Sequence, residues 1–256
     1  MIFFNPKKKK IVLIIIFLII AAIAVYLNRS YAHIYAKIGA AGLKFPEQGG
    51  IYMINDDLTT NKGLIYAALG DSLTAGVGTD SPEETLPYLL AQGLGADDKK
   101  VVLKNLAVPG ARTSDVINVF LPEAIEAQPD VVTLLIGVND IHNHVSVTQF
   151  RKNYEEILSR LSKETKATIY IINIPFIGAS DLMLPPYQCF FDSRTKEFNK
   201  IIKELANQYE IKYIDLYSPT VNLFKQSGAH YSRDSFHPSA AGYKLWAEII
   251  YAGINK

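Results

Sequence analysis

The chain has 256 residues, 49% of them hydrophobic and 20% charged, enough to bury a full core, and everything after the first thirty residues fits one globular unit. Its formal net charge of +1 sums a basic start and a nearly balanced remainder, so no basic face speaks for nucleic acid. A lone cysteine, Cys189, excludes an intrachain disulfide and a zinc site built from several thiolates, and no metal or cofactor is implied.

Residues 1–10 form a basic end that closes on Lys7, Lys8, Lys9 and Lys10. Residues 11–27 carry no charge and are mostly Ile, Leu, Val and Ala. As a helix this run spans about 25 Å, the short end of what crosses a bilayer. It is apolar all round and terminal, which argues against a buried core helix. The positive-inside rule holds the lysines in the cytoplasm and sends the rest of the chain outward. Ala22-Ile23-Ala24 offers a signal-peptidase site, whose use would give a secreted chain. The length of the run and the bulky Tyr26 and Leu27 beyond it favour an uncleaved single-pass anchor in the cell membrane. No cysteine follows for lipid modification there. Residues 28–62, interrupted by Gly39, Gly42, Pro46, Gly49 and Gly50, read as a tether and lead-in, and residues 63–256 as the folded domain.

That domain alternates strand and helix patterns. Apolar runs at 64–69, 100–106, 131–136, 168–174 and 212–216 read as five strands. In 148–163, Phe150, Tyr154, Ile157, Leu158 and Leu161 recur at helical spacing; 194–209 repeats the pattern with Phe198, Ile201, Ile202 and Leu205, capped by Asp192 or Ser193. A last helix after Pro238 carries Tyr243, Trp246, Ile249 and Ile250. The alternation implies an α/β fold of three α/β/α layers around a mostly parallel five-stranded sheet, most simply flavodoxin-like in the order 2-1-3-4-5.

In such sheets the ligand crevice lies outside the carboxyl ends of the strands. The first strand stops at Gly70-Asp71-Ser72-Leu73, which puts a hydroxyl there; the second leads to Pro109-Gly110-Ala111; the third leads to Gly137-Val138-Asn139-Asp140. The Ser72 N–H, a free N–H at Gly110 and the Asn139 amide are three donors able to hold an oxyanion. Near the other end, Asp234 precedes His237 by three residues on a loop, so it can accept the Nδ1–H and leave Nε2 for a serine proton. His142 and His144 lack a convincing third ligand and read as solvated.

These four blocks, Gly70-Asp71-Ser72-Leu73, Gly110 within NLAVPGARTS, Gly137-Val138-Asn139-Asp140 and Asp234-Ser235-Phe236-His237 before a proline, resemble the SGNH subgroup of the GDSL lipase/esterases. The resemblance runs from about residue 64 to the C-terminus. It implies Ser72 as nucleophile, Gly110 and Asn139 with the Ser72 N–H as oxyanion hole, and Asp234 and His237 as base pair. It departs from many members where Gly-Ala-Arg-Thr-Ser replaces a Gly-Asp in the second block. No G-x-S-x-G surrounds Ser72, which argues against an α/β-hydrolase elbow. The resemblance thus implies a serine hydrolase of carboxylic esters without cofactor, which the N-terminal run would tether to the membrane with its catalytic domain outside the cytoplasm.

Between 176 and 191 lies a strongly apolar loop. Phe176, Leu182, Met183, Leu184 and Tyr187 are candidates to line an acyl pocket, or simply to pack on the domain. The loop favours lipid or lysophospholipid esters over O-acetyl groups on wall glycans. A non-catalytic surface binding module is the alternative of a different class, opposed by the complete set of site residues.

Overall fold

The computed structural model describes residues 6–42, 49–58, 63–96, 98–176, 178–179, 181–226 and 228–255. The boundary at residue 62 and Ile177 of the apolar loop lie outside these. Five strands form the expected parallel array: β2 (Gly63–Gly70), β3 (Lys100–Asn105), β4 (Val131–Leu135), β5 (Thr168–Ile172) and β6 (Lys212–Ile214). A sixth, β1 (Gly50–Ile54), extends one edge, giving the order β1-β3-β2-β4-β5-β6.

β1 lies antiparallel to β3, with Gly50 opposite Asn105 and Ile54 opposite Val101. Residues 50–54, within the span read as tether and lead-in, are thus a strand of the sheet. The strand alternates, with Ile54 buried and Ile51 and Met53 exposed, so its single covered face seals the β3 edge while the other remains open. The central β2 is instead buried from Tyr66 to Gly70, the environment that selects a continuous apolar run.

The chain leaves β2 for β3 on one side and then returns past β2 to β4, β5 and β6. Right-handed crossovers therefore set α3 (Leu86–Leu94) on one face and the connections after β3 on the other. On that other face lie α5 (Leu121–Glu126), α7 (Val147–Glu164) and α8 (Tyr187–Gln208), while the C-terminal α10 (Ala240–Ile254) packs against α3. The α7 stripe of Phe150, Tyr154, Ile157, Leu158 and Leu161 is buried as its spacing requires, and Phe150 stacks on Phe198 of α8 at 3.9 Å. Ser146 caps α7 by accepting from Gln149 N at 3.2 Å.

α8 begins at Tyr187, about two turns before the expected start. Asp192 and Ser193 look like caps in sequence, but Asp192 pairs with Lys196 one turn on at 2.7 Å, an arrangement that belongs inside a helix.

The N-terminal helix α1 spans Pro6–Gly42, well past Leu27. From Ile11 to Ile20 every side chain is exposed, whereas Ser30 and Ile34 are buried against the domain. Tyr26 Oη donates to Pro185 O and Tyr187 Oη donates to Leu27 O, both at 3.0 Å, and Lys37 pairs with Asp181 at 3.7 Å. The stretch after the apolar run is thus a docked helix, not a loose tether.

Candidate active site

The sheet delivers three of the four blocks to the carboxyl edge of adjacent strands. Beyond β2, Asp71 caps the short helix α2 (Ser72–Ala75) by accepting from Leu73 N at 3.0 Å. The N–H of Ser72 opens that helix and so has no intrahelical acceptor. Gly78, at φ +107°, closes the segment; a Cβ there would stand 2.2 Å from Pro238 O and 3.3 Å from the His237 Cβ. Only glycine allows the serine turn and the histidine loop to approach this closely.

Ser72, Asp234 and His237 come together. Ser72 Oγ lies 2.9 Å from His237 Nε2, and His237 Nδ1 lies 2.5 Å from Asp234 Oδ2. All three are buried. Asp234 Oδ1 also accepts from Phe236 N (2.8 Å), His237 N (2.9 Å) and the Ser232 hydroxyl (2.8 Å). Burial pushes the Asp234 carboxyl up, but the hydrogen bond and charge of His237 with these further donors outweigh it and hold the group below the usual carboxylate range.

Gly110 sits in the turn after β3, at φ +85°, with open space where a Cβ would point. The turn closes through Ala111 N donating to Val108 O at 3.1 Å. Asn139, in α6 (Val138–His142), donates one amide hydrogen from Nδ2 to Ala111 O at 3.0 Å, which orients the amide and leaves its second hydrogen for another acceptor. Asp140 ties the same two blocks together: its carboxylate accepts from Thr113 N (3.0 Å) and Thr113 Oγ1 (2.6 Å), and Asn153 Nδ2 donates to that Oγ1 at 2.9 Å. Thr113, Asp140 and Asn153 were not legible as a unit in sequence, since they lie on three elements.

The residues proposed for an acyl pocket separate. Phe176 lines a cavity of about 10 Å³ with Leu73, Phe236 and Trp246. Room for about one water leaves no space for an acyl chain there. Leu182 and Met183 are buried in the main core, Leu184 faces outward, and Tyr187 turns to α1.

His142 corrects another expectation. Both of its ring nitrogens are sealed from solvent without a hydrogen-bond partner among the described residues, and the ring packs on Phe191 (4.6 Å), Phe236 (5.5 Å) and Tyr35 (6.2 Å). Burial first, then repulsion from His237 and His144, pulls its pKa down to about 4. Asp71 shifts the other way: burial, opposed by the Leu73 N–H and reinforced by the Asp140 charge, raises it to about 7.

These two groups give opposite pH slopes to stability. Between pH 4 and 7 Asp71 binds a proton that the unfolded chain lacks, so its contribution falls as pH rises. His142 stays neutral in the fold while the unfolded imidazole, with a pKa of about 6.5, is charged below that value, so its contribution rises with pH over roughly 4 to 6.5. Asp71→Asn should therefore make stability climb more steeply with pH than in the wild type, and His142→Phe should make it fall; thermal melts at half-unit pH steps read both slopes. Parallel curves for the two variants would contradict these assignments.

The comparisons with known proteins agree with this geometry. The chain is 27% identical to the spore germination lipase LipC of Bacillus licheniformis over 216 residues, covering 74% of this chain and 95% of that protein. It is 29% identical to an acetylxylan esterase of Xylanibacter ruminicola over 214 residues, 74% of this chain but 42% of that protein. The crystal structure of a lipase/acylhydrolase from Enterococcus faecalis superposes with a TM-score of 0.62 at 26% identity, covering 75% of this chain and 95% of that one. The profile of the GDSL-like lipase/acylhydrolase family matches residues 68–245. With three blocks at adjacent strand ends and the fourth brought to them on the histidine loop, the chain belongs to the GDSL-like lipase/acylhydrolase family and is a carboxylic ester hydrolase.

Proposed function

We propose that this protein is a membrane-tethered, extracytoplasmic serine hydrolase in which residues 63–256, completed by β1, cleave lipid or lysophospholipid esters. Ser72 Oγ attacks the ester carbonyl as His237 Nε2 takes its proton; Asp234 holds the imidazole by Nδ1 and stabilises it once charged. The developing oxyanion takes hydrogen bonds from the N–H of Ser72, the N–H of Gly110 and the amide of Asn139. His237 returns the proton to the leaving alcohol, and water, activated by the same imidazole, releases the acid from the acyl-enzyme. The observation that carries this reading is the buried relay from Ser72 through His237 to Asp234, at 2.9 and 2.5 Å.

Support for a lipid substrate comes from the helix α1, docked beside the apolar loop, and from the likeness to a lipase. Support for O-acetyl esters on glycans comes from the likeness to an acetylxylan esterase and from the one-water size of the cavity that Phe176 lines. Full-length protein in detergent should react with a fluorophosphonate probe, and a panel of lysophospholipids, short aryl esters and acetylated glycans should give the highest kcat/KM with the lysophospholipids. A folded protein that resists the probe would support the binding-module alternative instead, and preference for the acetylated glycan would replace the lipid assignment.

A further inference from the structure

We infer that residues 184–190, the end of the apolar loop and the first turn of α8, are a membrane-docking surface that lies in the extracytoplasmic leaflet, so that the catalytic cleft takes its substrate directly from that leaflet. The inference rests on the reading of α1 as a bilayer span. Residues 182–191 read Leu-Met-Leu-Pro-Pro-Tyr-Gln-Cys-Phe-Phe without a single charge. Leu182, Met183 and Phe191 are buried, but Leu184 and Phe190 are 38% and 40% exposed, and Pro185, Pro186 and Cys189 are exposed between them. Such an uncharged, outward-facing cluster is costly in water.

Its height is set by two hydrogen bonds. Tyr187 Oη donates to Leu27 O, and Tyr26 Oη donates to Pro185 O, each at 3.0 Å. The loop therefore sits level with the end of the apolar run of α1, where hydrocarbon gives way to headgroups. Tyr26 and Tyr187 therefore stand at that level, and Tyr31, whose ring lies 5.9 Å from that of Tyr187, follows about 6 Å further along α1, within reach of the headgroups, where tyrosines collect at other membrane interfaces. The occupant of the exposed apolar face is fixed by the covalent continuity of α1: a span that ends beside Pro185 holds that face against lipid.

The same helix leads to the site. From Leu27 to Lys37 it climbs about 15 Å. There Lys37 Nζ reaches Ser235 Oγ at 3.5 Å and Asp181 at 3.7 Å, and Ser235 lies on the loop that carries His237. Tyr35, His142 and Phe236 form a run of ring contacts from the helix to His237, with centroids 6.2, 5.5 and 4.9 Å apart. With headgroup layers about 5 to 7 Å thick, the cleft stands just above the lipid surface.

The chain's single cysteine, Cys189, is exposed within this surface and offers a probe site without mutation. Full-length protein labelled there with an environment-sensitive fluorophore and reconstituted in phosphatidylcholine vesicles should be quenched by doxyl-labelled lipid and protected from aqueous iodide. Phe190→Glu should lower turnover of vesicle-borne lysophosphatidylcholine about tenfold, the equivalent of some 1.4 kcal/mol for placing a charge in the interface, with hydrolysis of soluble p-nitrophenyl acetate unchanged. A label open to iodide, or shielded from both quenchers as by a second protein, would overturn the docking, as would release of the chain by alkaline carbonate. Lipid quenching in a protein that hydrolyses neither ester would leave the docking standing and remove the esterase reading.

Discussion

Replacing Ser72 with alanine is expected to reduce kcat by about 10⁶-fold, the scale seen when the nucleophile of a serine triad is removed, with the melting temperature nearly unchanged. The fold has little to lose. Among the described residues Ser72 Oγ makes one side-chain hydrogen bond, to His237 Nε2, whereas the turn itself is held by Asp71 accepting from Leu73 N and by the backbone bonds of α2. The chemistry has everything to lose, because no acyl-enzyme can form without that oxygen. Burst kinetics and fluorophosphonate labelling should vanish together. Retention of more than a thousandth of wild-type turnover would mean that water, not Ser72, attacks the ester.

Asn139→Ala should come next in size, a loss of about a hundred- to a thousandfold, or roughly 2.7 to 4 kcal/mol, that falls on kcat and leaves KM nearly unchanged. The asymmetry follows from the oxyanion: the amide hydrogen not used by Ala111 O bonds more strongly to the tetrahedral intermediate than to the ground-state carbonyl. The competing role is structural, because the hydrogen bond to Ala111 O also pins the Gly110 turn. If that role dominates, the variant melts earlier while its folded fraction keeps most of its activity. Melting temperature and kcat measured on one preparation therefore tell the two roles apart.

How far sequence reached depended on how local each signal was. The central strand β2 was legible because burial on both faces demands an unbroken apolar run, and Asp234 and His237 were legible because they lie on one loop. β1 was hidden: it is five residues long, opens on glycine and buries only Ile54, so it resembles linker. The start of α8 was hidden because Pro185-Pro186 reads as loop and Asp192 as a cap, although the stripe through Tyr187 and Phe191 continues the helix backwards. His142 gave no local sign of burial, since Tyr35, Phe191 and Phe236 reach it from three distant parts of the chain. The docking of α1 on the domain was illegible for the same reason, being carried by Tyr26, which sequence placed in the anchor run, and Tyr187, which it placed in a distant apolar loop.

The bond between Ser72 and His237 joins residues 165 apart in the chain, while Asp234 and His237 are three apart. The acid–base pair can therefore form as soon as its loop does, but the nucleophile waits for almost the last segment to arrive. Tyr243 of α10 enforces the wait by donating to Val77 O at 2.8 Å, across 166 residues, from beyond the histidine to the serine segment. Closing so long a loop comes late in folding, because its entropy must be overcome before the contact rewards it. A chain still emerging from the ribosome thus carries an unarmed serine, and hydrolysis switches on only when α10 has packed.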